Sequence, residues 1–240
     1  MLRRFLSDAD ANRALHTFRK LGRHGIRGWA LTGGLAVEVH RLRRGCQASV
    51  RALNDLDFIT ESFGAIPEGL ADGFLFRHIH PFDPPNRMML QFIDAESKLR
   101  IDVFRACGDT MSRTSNLDLP AGKIQLISLE DLTARTARLA LDLAGGVPTP
   151  SKHATDFLRL MELIDSTEVE TAWRDHRKPG QPASFKEASG LLRHLIPARR
   201  NLLVTPEYSK DAEMVCSRCE STSSFRLANP KAILSVLGYS

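Results

Sequence analysis

Acidic side chains sit badly inside apolar strands, yet this 240-residue chain places them there twice. In Asn54-Asp55-Leu56-Asp57-Phe58 and in Arg100-Ile101-Asp102-Val103-Phe104, carboxylates interrupt residues that favour burial. Asp55 and Asp57 are two apart, so on an extended strand both leave by the same face. Asp102 occupies a similar niche on a second candidate strand. If the two strands are neighbours, the three carboxylates converge. Such an oxygen set suits Mg2+ or Mn2+, which take a few carboxylates, water and phosphate oxygens in preference to a closed protein cage. Upstream, Gly33-Gly34 follows an apolar run and opens a candidate helix. Glycine lets backbone approach a phosphate closely, and a helix start offers free N–H groups and a favourable dipole. A glycine pair alone is only a turn. The order of glycine pair, acidic pair and third acid separates this pattern from scattered surface acids.

Hydrophobic periodicity supplies the frame around these residues. Leu15, Phe18 and Leu21 give the segment from Asp8 to His24 a helical stripe, broken by Gly25-Ile26-Arg27-Gly28. Trp29 to Thr32 reads as a strand, Leu35 to Leu42 as a helix and Leu56 to Ile59 as the strand bearing the acidic pair. Phe74 to His80, Met88 to Ile93 and Leu99 to Phe104 read as further strands, joined closely enough to run antiparallel. From Ser128 the period lengthens. Leu129, Leu132, Leu139 and Leu143 suit a helix ending at Gly145-Gly146, Phe157 to Ile164 suits a second, and Ser184 to Leu195 a third. The expected class is α+β, with a mixed sheet and flanking helices over residues 1–127 and a mostly helical region over 128–240. No internal repeat or low-complexity run is present.

With 42% hydrophobic residues the chain can bury a substantial core. Its net charge of +5 and pI near 9.2 favour a polyanionic partner. Arg19, Lys20, Arg23, His24 and Arg27 crowd one segment, and Arg41, Arg43, Arg44 and Arg51 lie between the glycine pair and the acids. They could steer a triphosphate or RNA, or simply decorate solvated helix faces. No stretch is apolar and long enough to span a membrane, and the start lacks a signal-peptide core, so a cytoplasmic location is expected. Four cysteines imply no disulfide framework.

At Thr32-Gly33-Gly34-Leu35-Ala36, Asp55-Leu56-Asp57 and Asp102 the chain resembles the DNA polymerase beta-like nucleotidyltransferase superfamily, in particular its minimal bacterial members and the AbiEii-type toxin nucleotidyltransferases. Arg51 falls where relatives often carry an arginine. Leu129-Glu130-Asp131-Leu132 is similar to the start of their helical part, and Lys152-His153-Ala154-Thr155-Asp156 to a later Lys-Asp-x-x-Asp element. Thr136 stands where relatives often have lysine, and His153 replaces an acid. The resemblance implies a nucleotidyltransferase-like sheet and transfer of a nucleoside monophosphate from a nucleoside triphosphate such as ATP. It implies that Asp55, Asp57 and Asp102 are catalytic metal ligands for Mg2+ or Mn2+. It further implies that Gly33, Gly34, Arg51, Lys152 and Asp156 bind nucleotide. The acceptor, whether RNA, protein or small molecule, is left open. An inactive nucleotide- or partner-binding module of the same fold is the alternative, and metal-dependent phosphodiester hydrolysis is a third reading that the glycine pair argues against.

Three other features invite chemistry. Cys216-Ser217-Arg218-Cys219 could supply half of a tetrahedral zinc site, with a histidine such as His194 adding a ligand, but no second CxxC exists and two unligated thiols are the simpler reading. His78 and His80 could share a strand face. No Ser, Cys or His arrangement for covalent catalysis stands out.

Overall fold

Ser7 starts the first helix. Its hydroxyl accepts the Asp10 N–H at 3.1 Å, and Asp8 and Asp10 in the first turn complement the helix dipole. The structure, a computed structural model, describes residues 1–26, 28–62, 67, 69–82 and 87–205. Helix α1 (Asp8–Arg23) buries Ala11, Ala14, Phe18 and Leu21, as the spacing requires. Strand β1 (Trp29–Thr32) is buried throughout, and the chain turns at once into α2 (Gly33–Arg43). Strand β2 (Asp55–Thr60) and the one-turn helix α3 (Leu70–Gly73) precede three strands, β3 (Phe74–Phe82), β4 (Arg87–Asp94) and β5 (Leu99–Arg105). A hairpin of β6 (Ser115–Leu119) and β7 (Gly122–Leu126) completes a seven-stranded sheet of order β3-β4-β5-β2-β1-β7-β6.

The sheet is mixed, and its mixture positions the acids. β3, β4 and β5 run antiparallel in sequence, as close spacing dictates, whereas β2 pairs β5 in parallel and β1 antiparallel. The β2/β5 register sets Asp57 opposite Asp102 and Asp55 opposite Arg100. On the β1 side Asp57 faces Thr32, so the glycine turn begins beside the acidic pair.

The helical region follows as α4 (Leu129–Ala140), α5 (Ser151–Leu160), α6 (Glu170–His176) and α7 (Phe185–Ala198). Two residue pairs, β8 (Thr149–Pro150) and β9 (Leu203–Val204), form a small parallel ladder. Ser128 caps α4 through the Asp131 N–H at 3.0 Å, and Ser184 with Glu187 forms a capping box on α7. The apolar core is continuous from Phe5 and Phe18 through the sheet to Leu132, Phe157, Trp173 and Leu192. Among the described residues no helix is long and apolar enough to cross a membrane.

The one-turn α3, the β8/β9 ladder and three larger features differ from the periodicity reading. The β6/β7 hairpin was not expected, because Ser115, Asn116 and Asp118 are poor strand formers; pairing with buried β1 holds it in the sheet. Helix α6, seven residues long, is too short to display a period. Helix α5 begins at Ser151, six residues before the apolar stripe, because Pro150 sets its N-cap.

Aromatic rings fill the space between α1 and the sheet. Phe18 meets Phe58 edge-on at 6.1 Å between centroids, Trp29 lies 5.8 Å from Phe58 and 5.9 Å from Phe92, and Phe74 closes on Phe92 at 5.5 Å. Replacing Phe18 by Ala should therefore reduce unfolding free energy by about 3–5 kcal/mol, read from urea denaturation with an unchanged slope. A loss below about 1 kcal/mol would mean that α1 is not part of the core.

Candidate metal and phosphate site

Carboxylate oxygens of Asp55, Asp57 and Asp102 all lie within 4.8 Å of one another. Two adjacent parallel strands bring them together: β2 supplies the first two from one face, and β5 supplies the third in register. Asp102 is 5% exposed, and its Oδ1 accepts from the Gln91 side-chain amide at 2.9 Å. Gln91, opposite Asp102 on β4, thus fixes the orientation of the third carboxylate. Arg100 pairs with Asp55 and approaches Asp102 Oδ2 at 3.3 Å through Nε. Sequence reasoning did not select Arg100 or Gln91. Their signal was the i, i+2 spacing of Arg100 with Asp102 and the β4/β5 register, legible only once strands are paired.

Burial and mutual repulsion raise two of the carboxyls, Asp57 and Asp102. The Asp57 carboxyl is pushed up to about 6 by burial and by the Asp55 charge, against the pull of Lys152, Arg135 and Arg100. Asp102 rises to about 7, again chiefly through burial; Arg100 and the Gln91 hydrogen bond oppose the shift, and Asp57 and Asp55 add to it. A divalent cation would relieve this crowding. The donor chemistry, three carboxylates open to further oxygen ligands, fits Mg2+ or Mn2+.

The two glycines accommodate this chain's own side chains. Gly33 adopts φ +64°, in the left-handed region, and a Cβ there would fall on the Asp57 carboxylate. A Cβ on Gly34 would lie 2.7 Å from the Arg51 guanidinium. The space that sequence reasoning reserved for phosphate is thus shared with Asp57 and Arg51. Helix α2 nevertheless begins without a side-chain cap: Thr32 at its N-cap makes no capping hydrogen bond, and its buried hydroxyl has no protein partner. The first N–H groups of α2 and this hydroxyl form the polar wall nearest the acids.

Arg51 is clamped. Its two terminal nitrogens donate to the Asp156 carboxylate at 2.9 and 2.8 Å, and Nη1 approaches Glu38 Oε1 at 3.4 Å. Glu38, fully buried on α2, also receives Arg159 of α5 at 2.7 Å. Asp156 thus pairs with Arg51, 105 positions away. The Lys152 charge, also on α5, acts on Asp57 and lowers its carboxyl. Glu38 and Arg159 were not singled out from sequence. Where a lysine was anticipated, the Thr136 hydroxyl bonds back to the Leu132 carbonyl, while neighbouring Arg135 supplies a buried cation, 4.4 Å over the Phe104 ring and electrostatically coupled to Asp57. Burial, with Lys152 beside it, brings His153 down to about 4, leaving it neutral near pH 7.

The basic segments are largely engaged elsewhere. Lys20 pairs with Asp94 at 2.9 Å and Glu96 at 2.7 Å, Arg41 with Glu162, and Arg43 with Ser115 and Asn116. Arg19 and Arg23 line, with Lys123 and Trp29, a cavity of about 830 Å3 between α1 and the β6/β7 hairpin. His78 and His80 fall on β3, opposite Gln91 and Met89. His194 is exposed on α7; Cys216 and Cys219 lie outside the described residues.

No protein-family model and no curated protein matches this sequence. Among solved structures, the chain is similar to the antibiotic-resistance factor ANT(2'')-Ia at 12% identity, with 79% of this chain and 98% of that one covered and a TM-score of 0.47. It is similar also to an antigenic nucleotidyltransferase-like protein from Paracoccidioides brasiliensis, at 14% identity, 82% and 92% coverage and a TM-score of 0.42. A third, JHP933 from Helicobacter pylori, shares 15% identity over 82% of this chain and 94% of that one, with a TM-score of 0.32. At such identities the chemistry is decided by this chain's own side chains.

The raised carboxyls set a pH dependence. Folded values of about 6 and about 7 lie above those of an unfolded carboxylate, so the metal-free fold binds protons that the unfolded chain releases. Their stabilisation is complete below about pH 4 and is lost as pH rises through 6 to 7. A cation competes with those protons, so Mn2+ or Mg2+ should raise the melting temperature clearly at pH 8 and little at pH 5.5. Asp102→Asn should stabilise the metal-free protein at pH 8 and abolish the metal response. An equal metal response at both pH values would show that these carboxylates are not the ligands.

Proposed function

We propose that the chain is a metal-dependent nucleotidyltransferase of the polymerase beta-like type, moving a nucleoside monophosphate from a nucleoside triphosphate to an acceptor. One observation carries the reading: Asp55, Asp57 and Asp102 converge directly beside an uncapped helix start entered through Gly33-Gly34. Three intact carboxylates support an enzyme over an inactive binding module. Asp55, Asp57 and Asp102 would hold Mg2+ or Mn2+, which when bound draws charge from the phosphate oxygens during displacement. The first N–H groups of α2 and the Thr32 hydroxyl would bind the triphosphate oxygens, with Lys152 adding positive charge from α5. Arg51 and Asp156 act as a pair, fixing α5 over the glycine turn and so shaping the nucleotide side of the cleft. Asp102, with Oδ1 held by Gln91, would accept the acceptor's proton at Oδ2.

Residues 1–127 form the catalytic unit in this reading, and the region from 128 onward supplies one wall of its cleft. Lys152 and Asp156 at the matching positions favour the AbiEii-type branch. RNA is the acceptor class to test first, given the +5 net charge, with proteins and small hydroxyl or amine compounds alongside it. A cytoplasmic location, where nucleoside triphosphates are supplied, follows from the same reading.

Purified protein incubated with Mg2+ or Mn2+ and each α-labelled nucleoside triphosphate, ATP included, should transfer label to one of these acceptor classes. Asp57→Asn should retain the fold and lose transfer by at least about a hundredfold, the scale expected when a charge clamp is removed. No transfer by the wild type to any of the three classes would contradict the proposal.

The Arg51–Asp156 pair gives a separate test. Arg51→Met and Asp156→Asn should each raise KM for the nucleotide, and the double variant should lose about as much as either single one, a coupling of about 1–3 kcal/mol. Additive losses would assign the two residues independent roles.

A further inference from the structure

We propose that Cys107 is a built thiolate site, a nucleophile that takes up a mixed disulfide from low-molecular-weight disulfides. Cys107 follows β5 and is partly exposed. Two helices far away in sequence converge on it. From α4, Arg138 donates through Nη1 to the Cys107 sulfur at 3.5 Å. From α6 comes His176, 2% exposed, whose Nε2 lies 3.0 Å from Asp131 Oδ1. Its Nδ1 is buried and has no hydrogen-bond partner.

The ring is immobilised from several sides. Asp131, fully buried, accepts from Arg113 at 2.7 and 2.8 Å and from the hydroxyls of Thr110 and Ser128. The loop after Cys107 is clamped as well: Gly108 takes φ +47° against the Asp175 side chain, and the Asp109 N–H donates to that carboxylate at 3.1 Å. Thr110 joins the two residues, its hydroxyl donating to the Cys107 carbonyl at 2.6 Å and lying 3.2 Å from His176 Nε2, so a carboxylate-oriented imidazole and a guanidinium on the sulfur share one cluster. That is the arrangement that activates a thiol.

The charges around the sulfur agree with the geometry. Burial would push the thiol up, but the nearby His176 imidazole, with Arg138 and Arg135, outweighs it and brings the thiol down to about 6. The carboxylates nearby are already engaged: Asp131 by Arg113 and His176, and Asp175 by Arg113. The metal-site acids do not touch this cluster, although Arg135 is coupled to both Cys107 and Asp57.

In the reaction, the Cys107 thiolate attacks one sulfur of the small disulfide. A new S–S bond forms as the old one breaks, and the other half leaves as a thiolate carrying the bonding electron pair. The protein thiol is oxidised and one half of the reagent is reduced, so no other oxidant is required.

The test uses the full chain with Cys46, Cys216 and Cys219 replaced by Ser, so that Cys107 is the single thiol. A dipyridyl disulfide reports reaction through the released pyridinethione, followed from pH 5 to 8.5 in native buffer and in denaturant. The native rate should rise tenfold per pH unit below about 6 and level off above 7. At pH 6 it should exceed the rate of the denatured chain by roughly tenfold, once the lower nucleophilicity of a more acidic thiol is allowed for. Arg138→Met and His176→Gln should each move the midpoint upward; if either fails to fold, the wild-type profile alone decides. A native rate at pH 6 below that of the denatured chain, or one still climbing tenfold per unit through pH 8, would overturn the proposal.

Discussion

Everything at the candidate site depends on the parallel register between β2 and β5. Parallel pairing places Asp57 against Asp102 and brings three oxygen donors within one cation's reach. It also creates the problem that the surroundings solve, because buried like charges repel and lose solvation. Arg100 partly neutralises Asp55 and Asp102, Gln91 fixes Asp102, and burial pushes the Asp57 and Asp102 carboxyls up. A slip of one residue in either strand would turn the acids to the opposite face and disperse the set.

The helical half reaches this site through polar contacts made between distant segments. Glu38 of α2, buried without exposure, gathers Arg51 and Arg159, and Arg51 in turn grips Asp156. Breaking one member would leave an uncompensated buried charge, which is why such pairs tend to act as a unit. Their consequence is geometric: α5 is held so that Lys152 bears on Asp57, while α4 brings Arg135 to the same carboxylate. Besides Arg100 on β5, the cations acting on Asp57 therefore come from residues 135 and 152, far along the chain from it.

Much of this was legible in sequence. Acidic residues two apart on a strand, a third acid in an apolar run and a glycine pair before a helix carry their own local signal. The helices of the second half announced themselves by period, apart from α6, whose seven residues are too few. What was hidden is what pairing creates. Arg100 and Gln91 become neighbours of the acids only through strand register, and Glu38 looks like any polar helix residue until the fold buries it. Arg51 and Asp156 were both picked out, yet their bidentate contact spans 105 positions and has no local signature. The same holds for Cys107, His176 and Asp131. Sequence showed no thiol cluster because three separate segments bring these residues together.

The most direct measurement is a crystal structure of the wild type with Mn2+ and a non-hydrolysable nucleoside triphosphate, with the metal located by its anomalous signal. The account predicts Mn2+ bound by Asp55, Asp57 and Asp102, and phosphate oxygens against the N–H groups that open α2. Metal bound elsewhere, or a triphosphate held away from the Gly33-Gly34 turn while these carboxylates stay metal-free, would contradict it.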